Sequence, residues 1–211
     1  MAMGVWSVED EVARESPARF IEVFVESLEL EQLGFRHAVP AWTGRPAYHP
    51  GDLLKLYLYG YMNKIRSSRR LMRECGRNVE LWFLLNRLQP DFRTIADFRK
   101  EHRKLLGKIF VIFARSCREM KLMDGETLCL DGTDENDFRE DQIDHPFGTI
   151  KHYADGRHFL CRGKEKVTAE FALAALSYTR RRAIALCGGD QKLIECYRRT
   201  VMPKIQKIAE I

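Results

Sequence analysis

Two carboxylates thirteen positions apart are the residues of this chain best placed to do chemistry. Asp131 ends a short apolar run, Thr127-Leu128-Cys129-Leu130-Asp131, and Asp144 stands just before His145-Pro146, with Lys151 seven positions further on. A carboxylate at a strand end and another at a helix start offer hard oxygen ligands to a divalent cation, which activates water or polarises a phosphate. The same residues also read as an acidic, solvated connector between two basic helical parts. Spacing by itself favours the connector. Other candidates are weaker. His145, His152 and His158 lack the spacing of a helical ligand pair. Cys129 has no base beside it. His102 falls on a charged helix face and is expected at the surface.

The elements that must position such residues are framed by composition. The chain has 211 residues, 45% hydrophobic and 31% charged, which describes a globular protein with a real core. Six cysteines are scattered without a Cys-x-x-Cys pair, as expected of free thiols in a reducing compartment and not of a disulfide frame or zinc site. The N-terminus is acidic and unlike a signal peptide. The longest apolar run, Leu53 to Met62, is too short to span a bilayer, so the expectation is a cytoplasmic protein without membrane contact. Charge is strongly segregated. Residues 62–121 carry 16 Lys/Arg against 6 Asp/Glu, whereas residues 122–150 carry 1 against 9. A basic block of that size suits phosphate neutralisation, which makes nucleic acid the leading partner.

The pattern is helical almost throughout. Ser7 and Ser16-Pro17 carry N-cap signals, and Phe20, Ile21, Phe24, Val25 and Leu28 repeat at helical spacing. Residues 36–50 hold three prolines and one glycine and read as a turn-rich linker whose Trp42 and Tyr48 pack against helices. Leu53 to Tyr61 is apolar all round, the mark of a central helix. Ser67-Ser68 opens a short arginine-rich helix stopped by Gly76, and Val79 to Leu85 forms another. Thr94, at capping-box spacing from Asp97, opens one long helical pattern toward Leu122. Three short-linked helices with outward arginines are compatible with a helix-turn-helix-like DNA reader. Arg66, Arg69, Arg70, Arg73, Arg93 and Arg99 are its candidate contacts, to phosphates in the first place. Glu126 to Leu130 is the one convincing strand, and Phe147 to Tyr153 starts a helix or extended segment. A strong helix returns over Lys164 to Cys187, with Phe171, Leu173, Ala174, Leu176 and Tyr178 as core and Arg180-Arg181-Arg182 as polar end. Gly188-Gly189 stops it, and Leu193, Ile194, Tyr197 and Val201 outline a last amphipathic helix.

These segments resemble a known family. Gly44-Arg45-Pro46-Ala47-Tyr48-His49-Pro50, Tyr59-Gly60-Tyr61, Ser67-Ser68-Arg69-Arg70-Leu71 and Pro90-Asp91-Phe92-Arg93-Thr94-Ile95-Ala96-Asp97-Phe98-Arg99 look like the N-terminal helical domain of bacterial insertion-sequence transposases of the DDE, RNase H-like type. Leu130-Asp131-Gly132-Thr133 resembles that family's first catalytic strand. The run from Ile143 to Lys151, with the helix after Gly163, resembles the segment around its last acidic residue. The resemblance implies three carboxylates holding two Mg²⁺ ions for phosphodiester strand transfer. Asp131 then matches the first metal-binding Asp, Asp144 takes the place of the final Glu, and Lys151 matches a lysine expected to touch phosphate.

The departures from the family are as informative. Twelve residues separate Asp131 from Asp144, where the family has most of a sheet and its middle Asp. One strand alone takes about five or six residues. Asp134, Glu135, Asp137, Glu140 and Asp141 lie near, yet none matches the middle Asp in context, and Glu140 stands where the family usually has a basic residue. The chain therefore reads as an internally deleted transposase, mainly α, with an incomplete RNase H-like domain. Residues 1–121 form a helical DNA-binding domain containing the trihelical part, 122–150 a short strand or hairpin with the acidic connector, and 151–211 a C-terminal helical remnant. The expected function is DNA binding without efficient strand transfer. Alternatives are a residual Mg²⁺-dependent nicking enzyme and a helical interaction protein that inhibits an intact transposase. Partners are then DNA and a second copy or an intact relative.

Overall fold

The structure, a computed structural model, describes residues 7–39, 42, 47–122 and 159–203. The described residues form nine helices and no strand, a mainly α fold. The first six are α1 (Val8–Glu11), α2 (Pro17–Glu26), α3 (Pro50–Met62), α4 (Ser68–Cys75), α5 (Val79–Leu85) and α6 (Phe92–Glu101). They are followed by α7 (Arg103–Glu119), α8 (Lys164–Cys187) and α9 (Asp190–Thr200). The strand expected over Glu126 to Leu130 and the segment Phe147 to Tyr153 lie outside the described residues.

Local chemistry sets most of the boundaries. Ser16 caps α2 by accepting from Ala18 N at 3.1 Å, with Pro17 at the first helical position. Asn78 caps α5 through Glu80 N and Leu81 N. The α5 helix ends on Asn86 in the left-handed region, a conformation that Asn tolerates. Gly188, at φ 78°, closes α8 by donating to Ile184 O.

The central element is α3, buried from Leu53 to Tyr61. It packs on α2, α5, α6 and α8, which is why its sequence is apolar on every side. Its polar atoms are matched. Lys55 reaches Glu26 at 3.4 Å and Glu22 at 3.7 Å, Tyr57 donates to Ile95 O at 2.7 Å, and Tyr59 donates to Glu80 at 2.6 Å. Burial raises all three tyrosine pKa values on this helix, Tyr57, Tyr59 and Tyr61, well above the phenol range.

The C-terminal helices complete the same core. Arg103, opening α7, lies 3.5 Å from Glu165, in the first turn of α8. Cys117 near the end of α7 feels Cys187 at the end of α8, where burial is the main cause of its raised thiol pKa, about 12. The two helices pack against each other. Phe20 and Phe24 of α2, Phe113 of α7 and Tyr197 of α9 form an edge-to-face cluster, with Phe24 5.3 Å from Phe113 and 6.0 Å from Tyr197. Tyr197 and Ser27 exchange a hydrogen bond at 2.8 Å.

Several expectations change. The long helix expected from Thr94 is two helices: Asp91, not Thr94, caps α6, and the chain breaks at His102. His102 is 4% exposed, not at the surface. Its ring stacks on Phe35 at 5.0 Å and meets Phe98 at 4.7 Å, while Nε2 accepts from Arg36 N at 3.1 Å and Nδ1 faces Phe98 O at 3.0 Å. Those partners select the neutral tautomer protonated on Nδ1, and burial first of all lowers its pKa. Arg180 is no polar end. It is buried over the Phe20 ring and ion-paired with Asp190, and burial pushes its pKa down to about 10. Alanines line the buried side of α8 with Leu173 and Leu176, whereas Phe171 and Tyr178 are half-buried. Trp42 does not pack on a helix but is 99% exposed.

Candidate nucleic-acid interface

The α4 helix is amphipathic in the plainest way. Leu71 and Cys75, four apart, are fully buried, while Arg69, Arg70 and Arg73 are exposed on the other side. Its start is set by Ser67 in extended backbone, with no side-chain cap bond. Beyond the turn Gly76-Arg77-Asn78, α5 runs into the core through Leu81, Leu84 and Leu85. The next helix, α6, begins at Asp91, whose carboxylate accepts from Arg93 N at 2.8 Å, Thr94 N at 3.2 Å and Thr94 Oγ1 at 2.8 Å. Those bonds hold its pKa low. The buried residues of α6 are Ile95 and Phe98, which leaves Arg93 at the surface. The α4 helix packs on both α5 and α6, and arginines from α4 and α6 are exposed beside one another.

The expected contact residues divide into two sets. Arg69, Arg70, Arg73 and Arg93 are exposed and make no ion pair among the described residues. Arg66 and Arg99 turn inward. Arg66, in the turn before α4, is 8% exposed and meets the buried Glu170 of α8 at 3.1 Å. Glu170 also accepts from Leu160 N at 3.0 and 3.2 Å. Arg99 is half-buried with its guanidinium 5.9 Å over the Tyr57 ring. Arg77, although exposed, is tied to Glu74, and that bond raises the pKa of Arg77 and lowers that of Glu74.

One aromatic belongs to this face that the sequence reading did not single out. Phe92, half-buried at the start of α6, has the Arg69 guanidinium 5.3 Å and the Arg93 guanidinium 5.7 Å from its ring centroid. Both distances lie within the range of a cation–π contact. The adjacency of Phe92 and Arg93 hinted at one of these contacts; the other needs α4 and α6 packed together.

Asp131, Asp144 and Lys151 lie outside the described residues, as do Cys129, His145, His152 and His158. Among the described residues no group of three His, Cys, Asp or Glu side chains is placed to hold a metal ion, and no helix is long and apolar enough to cross a membrane. Cys75, Cys117, Cys161, Cys187 and Cys196 are free.

Comparison with known proteins places this face in context. Residues 6–101 match the family model described as Transposase domain (DUF772), which supports a transposase family for the chain. The match covers α1 to α6 and hence the whole arginine face. No curated protein and no solved structure matches.

Proposed function

We propose, from the transposase-domain match and the arginine face inside it, that this chain is a transposase-derived DNA-binding protein of a bacterial insertion sequence. The observation that carries the reading is the outward set Arg69, Arg70, Arg73 and Arg93, four cations from two packed helices with no carboxylate ion pair among the described residues. Such a set neutralises phosphates and releases their counterions, whereas Arg66 is buried against Glu170. These contacts orient the duplex without reading its sequence.

Deficient strand transfer is the second half of the proposal. It rests on the twelve residues between Asp131 and Asp144, too few for the several strands that carry the middle carboxylate in DDE, RNase H-like transposases. Mg²⁺ would supply water activation and leaving-group stabilisation at such a site. Here only Asp131 and Asp144 match ligands of that set, so no reaction step is assigned to them.

Duplex binding measured by fluorescence anisotropy from 50 to 200 mM salt tests the first half. Four phosphate contacts predict a slope of log affinity against log salt of roughly −3.6, a loss on the order of 100-fold across that range. Undetectable binding at low salt, or an affinity that ignores salt, would refute it and leave the interaction-protein alternative.

A further inference from the structure

We infer that Phe92 is the positioning residue of a two-arginine clamp, holding Arg69 and Arg93 ready for neighbouring phosphates on one strand of duplex DNA. The inference rests on the DNA-binding reading above and says how that face works. Arg69 comes from α4 and Arg93 from α6, and the single ring of Phe92 lies under both guanidiniums, at 5.3 and 5.7 Å. Each side chain is exposed and would otherwise sample many rotamers, losing that freedom when it meets a phosphate. A guanidinium over an aromatic face is restrained while its in-plane N–H donors stay available for phosphate oxygens. The ring thus orders the pair before the ligand arrives. Phe92 is itself half-buried at the α4–α6 junction, so its own place is set by packing.

The neighbouring charges fit this use. Asp91 is the closest carboxylate in sequence, and its oxygens are committed to Arg93 N, Thr94 N and Thr94 Oγ1. It therefore occupies the N-terminus of α6, and a phosphate is directed to the guanidiniums instead of the helix end. Glu74 is bound to Arg77 and does not claim either cation. Arg70 and Arg73 lie on the same helix as Arg69 and extend the positive surface along α4.

The test measures affinity for a labelled 20-base-pair DNA duplex, and for the equivalent RNA duplex, across 50–200 mM salt. It uses the full chain and the variants Phe92→Leu, Phe92→Tyr, Arg69→Gln, Arg93→Gln and the double variant Arg69→Lys/Arg93→Lys. Each glutamine variant is expected to reduce the salt slope by about 0.9. Phe92→Leu is expected to bind DNA on the order of tenfold more weakly at unchanged slope, because charge remains and pre-ordering is lost. Phe92→Tyr is expected to retain affinity. The double lysine variant keeps both charges at exposed positions, so it answers the question even if Phe92→Leu unfolds; it is expected several-fold weaker at unchanged slope. Wild-type affinity in both Phe92→Leu and the lysine variant, or no rescue by Phe92→Tyr, overturns the clamp while the DNA-binding reading stands. Failure of the unmodified chain to bind DNA, or tighter binding to the RNA duplex, overturns that reading and the clamp with it.

Discussion

Removing the cation from the Arg66–Glu170 pair should destabilise the protein more than any surface charge change. The pair spans 104 positions of sequence and its side chains are 8% and 2% exposed. Arg66→Met leaves the Glu170 carboxylate buried beside the Leu160 N–H donor without its cation, a situation that costs about 3–5 kcal/mol. Against the roughly 5–15 kcal/mol of a typical domain, that is a third or more of the total. With a urea slope of about 2 kcal/mol/M, the midpoint should fall by about 2 M. Glu170→Gln keeps an acceptor for Leu160 N–H but removes the charge that faces Arg66, so it should cost a similar amount. The double variant Arg66→Met/Glu170→Gln removes both charges and should cost about 1 kcal/mol, so singles of about 3–5 kcal/mol each would be strongly non-additive, with a coupling of about 5–9 kcal/mol between the sites. Urea unfolding followed by circular dichroism measures all four corners of the cycle. A loss below about 1 kcal/mol for Arg66→Met, or a double variant that costs the sum of the singles, would refute the claim that the two charges are buried against each other.

Three further outcomes are expected. The pKa of His102 is lowered in the folded protein, so the unfolded chain binds its proton first as pH falls. The contribution of this residue is thus fully present above about pH 6.5 and is lost as pH drops through the lower folded value, with a slope of at most about 1.4 kcal/mol per pH unit. Stability curves from pH 7.5 to 5 should be steeper for the wild type than for His102→Gln, and parallel curves would contradict the buried neutral ring. Gly60→Ala should destabilise by at least about 1–3 kcal/mol, since its Cβ would sit 2.6 Å from Leu71 Cδ2 and 2.7 Å from Ile65 O; an unchanged melting temperature would mean that α3 and α4 do not meet there. Supercoiled plasmid incubated with Mg²⁺ or Mn²⁺ should stay intact, and nicking that disappears in Asp131→Ala would overturn the proposed deficiency.

Helix identity and burial direction were legible because they rest on local rules. The Ser16-Pro17 start, the all-round apolar α3, the Gly188 stop and the Leu193, Ile194, Tyr197, Val201 stripe all stand in the structure where pattern placed them. The exposure of Arg69, Arg70 and Arg73 followed likewise from their place opposite Leu71 and Cys75 on one helix. Hydrophobic period and capping are written within a few residues, and a reader of sequence needs nothing more.

Polar residues with distant partners were another matter. Arg66, Arg180 and His102 look like surface residues by type, because burying them is costly without a match. Their matches are Glu170, Asp190 with Phe20, and the Arg36 amide with Phe35 and Phe98. Glu170, Asp190 and Phe20 come from other helices and Phe35 and Arg36 from a distant loop, and no periodicity encodes them. The break at His102 has the same origin: the ring turns into the core, where it ends one helix and begins the next. Phe92 belongs in this group, since Arg69 reaches it only once α4 and α6 are packed. The sequence determined the helices, their apolar faces and the basic block. Tertiary packing alone decided which arginines complete the core, as Arg66 and Arg180 do, because a buried charge goes where its partner is.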